Sequence, residues 1–213
     1  MKPYPLSGDN RWQGLQRRIG LTGGIASGKT SVGRFLEQQG IAVLDADLYA
    51  HEALAPGTPA ASAVLERYGV KVQSELGEGL DRAALGSIVF SDPQERTWLE
   101  SQVHPFVRER FDRELQKHAE ENPVALMIPL LFEAKLENLC SEIWVVYCTP
   151  MQQRQRLMLR NQLNLEDAEQ RIRAQWPIDR KSELADYVVN NGGVPWSWTP
   201  QVNELLKQTS PLY

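Results

Sequence analysis

The fold is decided by Arg18-Ile19-Gly20-Leu21-Thr22-Gly23-Gly24-Ile25-Ala26-Ser27-Gly28-Lys29-Thr30. The first five residues read as a short strand, and Gly23 to Thr30 match G-x-x-x-x-G-K-[ST] without exception. Directly afterwards Val32, Phe35 and Leu36 recur at i, i+3 and i+4, the stripe of an amphipathic helix. Strand, glycine loop and helix in that order form the context in which such a loop grips phosphate. Glycines let the backbone come close to a ligand, the loop N–H groups converge on it, and the helix presents its positive end. The nucleotide-binding residues are then Gly24, Ile25, Ala26, Ser27, Gly28, Lys29, Thr30 and Ser31. Lys29 neutralises the β- and γ-phosphate oxygens of ATP, and the Thr30 hydroxyl is placed to ligate Mg²⁺.

Working outward, Ile41–Asp45, Val124–Pro129, Ile143–Cys148 and Tyr187–Asn190 are further short apolar runs. Each is continuous rather than alternating, as expected where helices cover both faces of a parallel sheet. Helical patterns lie between them, including the stripe Leu99, Val103, Phe106 and Val107. The expected fold is α/β: a P-loop NTPase with a parallel sheet and helices on both faces. Two stretches break the rhythm, the mostly helical Tyr49–His104 and the Arg-rich Arg154–Trp176. They are read as a substrate-binding insertion at about 49–110 and a lid at about 151–177. Residues 1–17, rich in Pro, Gly, Asn and Ser at their start, read as a flexible extension, with the kinase domain over 18–213.

Bulk properties remove several function classes. The 213 residues carry a net charge of −4, which argues against nucleic acid as a partner. Two cysteines, Cys140 and Cys148, are too few for a disulfide framework, and their spacing fits no zinc pattern. Cys148 lies in an apolar run and reads as a core residue. No run is long and apolar enough for a membrane span, and the N-terminus lacks a secretory design, so a cytoplasmic location is expected.

No N/T-K-x-D segment for guanine occurs, so a GTPase reading lacks support. The strand ending in acid is Ile41–Asp45, and Asp45-Ala46-Asp47 stands at its carboxyl end, where open α/β sheets bind ligands. One carboxylate suits the Mg²⁺ shell and the other the proton of an attacking hydroxyl. The alternative is that Asp47 simply caps a helix over Leu48–Leu54. Thr149-Pro150 with Gln152 forms a capping box, opening a helix that carries Arg154, Arg156 and Arg160. A second helical run from Asn164 to about Gln175 carries Arg171 and Arg173. Arginines flanking a short turn suit a lid that closes over phosphates. For any one of them, a solvated helix face is the alternative.

The chain resembles the dephospho-coenzyme A kinase family. The resemblance rests on GLTGGIASGKTSV, VLDADLYAHE, PGTPA, GLDRAAL, LESQVHPFVR, IPLLFE, RLMLRNQL, the QRIRAQ run and ADYVVNNG, in family order from about Ile19 to Gly193. It implies a nucleoside-monophosphate-kinase-like core with five parallel strands, a helical CoA-binding insertion after Asp47 and a lid around Arg160. It also implies ATP-dependent phosphorylation of the ribose 3′-hydroxyl of dephospho-CoA, the last step of coenzyme A biosynthesis. On that mapping Asp47 is the general base and Arg160 the lid arginine; with Lys29 of the loop they are the catalytic candidates, and Thr30 of the loop and Asp45 at the strand end are the Mg²⁺ candidates. Ala26 stands where the family usually has Gly, and Thr30 where Ser is commoner. Arg82, His104 and Arg108 are substrate-binding candidates, with surface ion pairing or a structural histidine as alternatives. His104 precedes Pro105, which sets it in extended backbone or at a helix boundary. The role of Glu133 is open, Trp144 and Trp176 read as packing residues, and the stretch around Trp196 and Trp198 carries no readable pattern. The partners are the small molecules ATP and dephospho-CoA, with the chain a monomer or small homo-oligomer. Another small-molecule kinase on the same scaffold is the alternative, and a nucleotide-dependent switch is the rival from a different class.

Overall fold

The computed structural model describes residues 11–74 and 79–208. The elements begin β1 (Arg18–Gly23), α1 (Lys29–Gln38), β2 (Ala42–Asp45), α2 (Ala46–Ala53), α3 (Pro59–Tyr68), α4 (Arg82–Ser91) and α5 (Pro93–Lys117). They continue with β3 (Val124–Met127), β4 (Glu142–Tyr147), α6 (Pro150–Asn161), α7 (Leu165–Arg173), α8 (Ile178–Glu183), β5 (Tyr187–Asn190) and α9 (Thr199–Lys207). Two compact units result: one joins residues up to Leu44 with those from His118 onward, and the other is Asp45–Lys117. The expected insertion at 49–110 falls inside the second.

The first unit holds a five-stranded sheet of order β2-β3-β1-β4-β5. β1 pairs in parallel with both β3 and β4, and β4 with β5. β1 is thus central, and its carboxyl end opens into the glycine loop where neighbouring strands lead to opposite sides. Ile19 and Leu21 pack with Val32 and Leu36 of α1 and with Trp144, Val146, Val189, Trp198 and Val202. Each such buried Leu or Ile contributes about 1.5–3 kcal/mol. On the other face, Gly20 leaves room for Cys140 and Leu131, since a Cβ there would lie 2.6 Å from the Cys140 sulfur. Both cysteines are buried. Burial pushes the Cys140 thiol up to about 12 and raises that of Cys148, so neither presents a thiolate.

Residues 11–17 depart from the expected flexible extension. The Trp12 N–H donates to the Cys140 carbonyl at 3.1 Å, and the Arg18 guanidinium lies 3.4 Å from the centre of the Trp12 ring. Arg17 is buried, pairing with Glu142 at 2.8 Å and donating to the carbonyls of Leu205 and Leu206. Aromatic and charged side chains dock this segment despite its lack of periodicity. Residues 1–10 lie outside the described residues.

The second unit packs α2, α3 and α4 with the long α5. Val64, Val72, Leu85 and Val89 form its core, with Trp98 and Leu99 against them. Val103, Val107, Phe111 and Leu115 continue the buried stripe of α5, and Tyr49 of α2 meets Phe111 edge-on at 5.0 Å. α5 continues through Pro105, so His104 is helical rather than at a boundary. A proline inside a helix costs about 3 kcal/mol. The apolar stripe on both sides of Pro105 outweighs that cost.

Candidate active site

The glycine loop is shaped by its own backbone and braced from outside. Gly28 takes φ 100° as the residue before α1, and its carbonyl accepts from the N–H groups of Ser31 and Val32 at 2.9 and 3.3 Å. Ala26 sits at φ 59°, in the left-handed region. That accounts for the glycine usual there, because an L-residue in this region costs about 1–2 kcal/mol. Three amide side chains hold the loop: Gln153 Nε2 donates to the Ile25 carbonyl at 2.9 Å, and Asn191 Nδ2 to the Ser27 carbonyl at 2.8 Å. The third, Gln175, accepts from the Ile25 N–H through Oε1 at 2.9 Å. Engaging the Ile25 and Ser27 carbonyls from outside fixes the loop, and a fixed set of amide dipoles is what an anion site requires. Lys29 is half-buried, and Thr30 and Ser31 are exposed on the first turn of α1.

The Arg-rich stretch forms a helical pair, as expected. Thr149 and Gln152 make the reciprocal capping box at 3.0 and 3.2 Å with Pro150 in the first turn. Gln162 turns the chain at φ 53°, and Asn164 caps α7. The arginines divide by what they touch. Arg154 of α6 and Arg173 of α7 both pair with Glu169, tying the two helices together. Arg156 donates to the Asn191 carbonyl at 2.8 Å. Arg160 is exposed in the last turn of α6, its Nε donating to Asn161 Oδ1 at 2.8 Å.

Where the pair rejoins the core, a buried polar cluster holds it. The Trp176 N–H donates to Glu133 Oε1 at 2.9 Å, while Lys181 bonds the same oxygen at 2.8 Å and the Pro129 carbonyl at 2.9 Å. Burial pushes the Lys181 ammonium below the usual lysine range, and Glu133 beside it pulls it back up. Trp176 also stacks on Phe132 with a 2° interplanar angle, and Arg180 covers it at 3.5 Å. Glu133 therefore anchors the base of the helical pair.

In the second unit, Asp45 caps α2: its Oδ1 accepts from the Asp47 N–H at 2.9 Å. The capping reading of Asp47 is thereby corrected. Asp47 is the second residue of a helix that starts at Ala46, two residues earlier than expected, and is exposed. Arg82 reaches back to the His51 carbonyl at 3.0 Å from the first turn of α4. His104 and Arg108 stand one turn apart on α5 and share a face. Arg110, which no sequence signal singled out, bonds Glu52 at 2.8 Å with its guanidinium 5.1 Å from the centre of the Tyr49 ring, holding α2 to α5.

Among the described residues no three His, Cys, Asp or Glu side chains form a metal cage. The Thr30 hydroxyl is a hard oxygen donor, the kind of ligand that suits Mg²⁺, which keeps waters and takes phosphate oxygens rather than an all-protein shell. The braces Gln153, Gln175 and Asn191 had no signal in residue type. The position of Asn191, just past a strand's carboxyl end, was the one available hint.

Set beside known proteins, the profile of the dephospho-CoA kinase family matches residues 17–195. A dephospho-CoA kinase of Synechococcus sp. (strain CC9605) is 61% identical over 194 residues, covering 91% of this chain and 94% of the relative. One from Prochlorococcus marinus (strain MIT 9313) is 54% identical, covering 92% and 98%. Among solved structures, a Thermus thermophilus protein superposes with a TM-score of 0.75 at 34% identity, covering 90% and 96%. The dephospho-CoA kinase from Campylobacter jejuni superposes at 0.68 and 26% identity, covering 92% and 98%.

Proposed function

The chain belongs to the dephospho-CoA kinase family, and on that premise we propose how its residues divide the work. It phosphorylates the ribose 3′-hydroxyl of dephospho-CoA from ATP, giving coenzyme A and ADP, the final step of coenzyme A biosynthesis. Lys29 and the loop N–H groups hold the phosphates and take up charge as the bond from the γ-phosphorus to its bridging oxygen breaks. Asp47 orients the attacking hydroxyl and accepts its proton as the new oxygen–phosphorus bond forms. Arg160 comes over the transferring group on lid closure and spreads the charge of the transition state. Thr30 and Asp45 would hold Mg²⁺, which when bound offsets phosphate charge. Arg82, His104 and Arg108 bind dephospho-CoA. The enzyme works in the cytoplasm as a monomer or small homo-oligomer, without nucleic acid or membrane as partner.

The observation carrying the choice of base is the cap of α2. Because Asp45 closes that helix, the local fold has no need of the Asp47 carboxylate for capping. The test is ADP release with dephospho-CoA, adenosine, AMP and water as acceptors. Turnover is expected with dephospho-CoA alone, its product bearing a 3′-phosphate. Comparable turnover with AMP would replace this reading with a nucleotide kinase.

A further inference from the structure

We propose that Trp196 is the platform on which the base of the donor nucleotide stacks. This rests on the reading of the glycine loop as the ATP site and adds the residue that grips the other end of the molecule. A cavity of about 350 Å³ opens beside the loop, lined by Ala26, Gly28 and Ser31 and also by Arg156, Asn191 and Trp196. On this proposal a nucleotide with its phosphates on the loop extends its nucleoside into this adjoining space. Among the described residues no carboxylate lines it, so neither phosphate nor an electron-rich ring is repelled.

Trp196 is placed there at a cost. It is 55% exposed and adopts φ 67°, a left-handed conformation that costs a non-glycine residue about 1–2 kcal/mol. Such backbone persists where the surroundings enforce it, and it gathers at ligand sites. Here the carbonyl of Trp196 accepts from the Thr199 N–H at 3.0 Å and from the Thr199 hydroxyl at 2.9 Å. Its ring rests on buried Trp198, with centroids 5.4 Å apart, and Trp198 meets Phe35 of α1 edge-on at 5.5 Å. The exposed indole is thus keyed to the helix whose N-terminus faces the phosphates. A stack on this indole selects by ring area and tolerates changes in exocyclic groups, so purine triphosphates outrank pyrimidine ones.

The test compares ATP with tripolyphosphate, which lacks a base, by titration calorimetry on the full chain and on Trp196→Leu and Trp196→Phe. Leu is expected to weaken ATP roughly ten-fold or more, the scale of losing one base–aromatic stack. Phe should hold ATP near the wild-type level, and tripolyphosphate should bind all three proteins alike. In turnover, Leu should raise KM for ATP, with kcat and KM for dephospho-CoA unmoved. Equal ATP affinity in Leu and wild type overturns the inference, as does a parallel loss of tripolyphosphate, which would mean that Trp196 only shapes the loop. A wild-type protein that binds neither ligand would instead refute the ATP-site reading itself, and the inference with it.

Discussion

Replacing Gly28 with Ala tests the loop geometry most directly. Alanine at φ 100° carries a left-handed penalty of about 1–2 kcal/mol. Its Cβ would also lie 2.0 Å from Asn191 Nδ2, so the amide must move and release the Ser27 carbonyl. Leaving such a group without its partner costs about 1–3 kcal/mol. Together the two effects reach about 2–5 kcal/mol, or some 5–15 °C in Tm for a chain of this size. The design includes Asn191→Ala and the double variant, each followed by urea unfolding. With Asn191 already truncated no clash remains, so the double variant should be no less stable than Gly28→Ala alone. The two single losses should therefore exceed the double loss by about 1–3 kcal/mol. Additivity within about 0.5 kcal/mol would refute the claimed contact. A Gly28→Ala protein that melts like wild type and binds ATP normally would refute the strain as well.

Asp47→Asn is expected to lower kcat by about 10²–10⁴-fold with ATP affinity and Tm nearly unchanged, whereas Asp45→Ala should lose about 1 kcal/mol of stability through its cap. Near-normal turnover in Asp47→Asn, measured by coupled ADP release, would remove the base assignment. Arg160→Ala should reduce kcat by roughly 10²-fold, and an unchanged kcat would return that side chain to a solvated helix face. Lys181→Met leaves Glu133 and the Pro129 carbonyl without their cation, at a cost of about 3–5 kcal/mol in urea unfolding. Adding Glu133→Gln should recover part of it, and a loss under about 1 kcal/mol would show that the cluster does not anchor the base of the helical pair.

What was legible in the sequence was local. The glycine loop, the five apolar runs and the Thr149 capping box are contiguous patterns whose backbone consequences need no distant partner. The strands accordingly fall within about two residues of expectation. Where a distant partner decides, local pattern misleads. Residues 11–17 looked structureless until Trp12 met Cys140 and Arg18. Pro105 looked like a helix boundary until the buried stripe on both sides carried α5 through it. Asp45 and Asp47 are both cap-forming residue types, and Asp45 takes that place, a choice of two residues in register that propensity alone does not make.

By itself the sequence determined that this chain grips phosphate, because the grip is made by consecutive backbone amides at a helix start, and it identified the family through motifs strung along nearly the whole chain. Only the tertiary structure decided what holds that grip in shape and what lies beside it. Gln153, Gln175 and Asn191 reach the loop from partners 128, 150 and 164 residues away in the chain. An amide at such separation leaves no periodicity and no spacing to read. It acquires its role only when the sheet brings the carboxyl ends of its strands together.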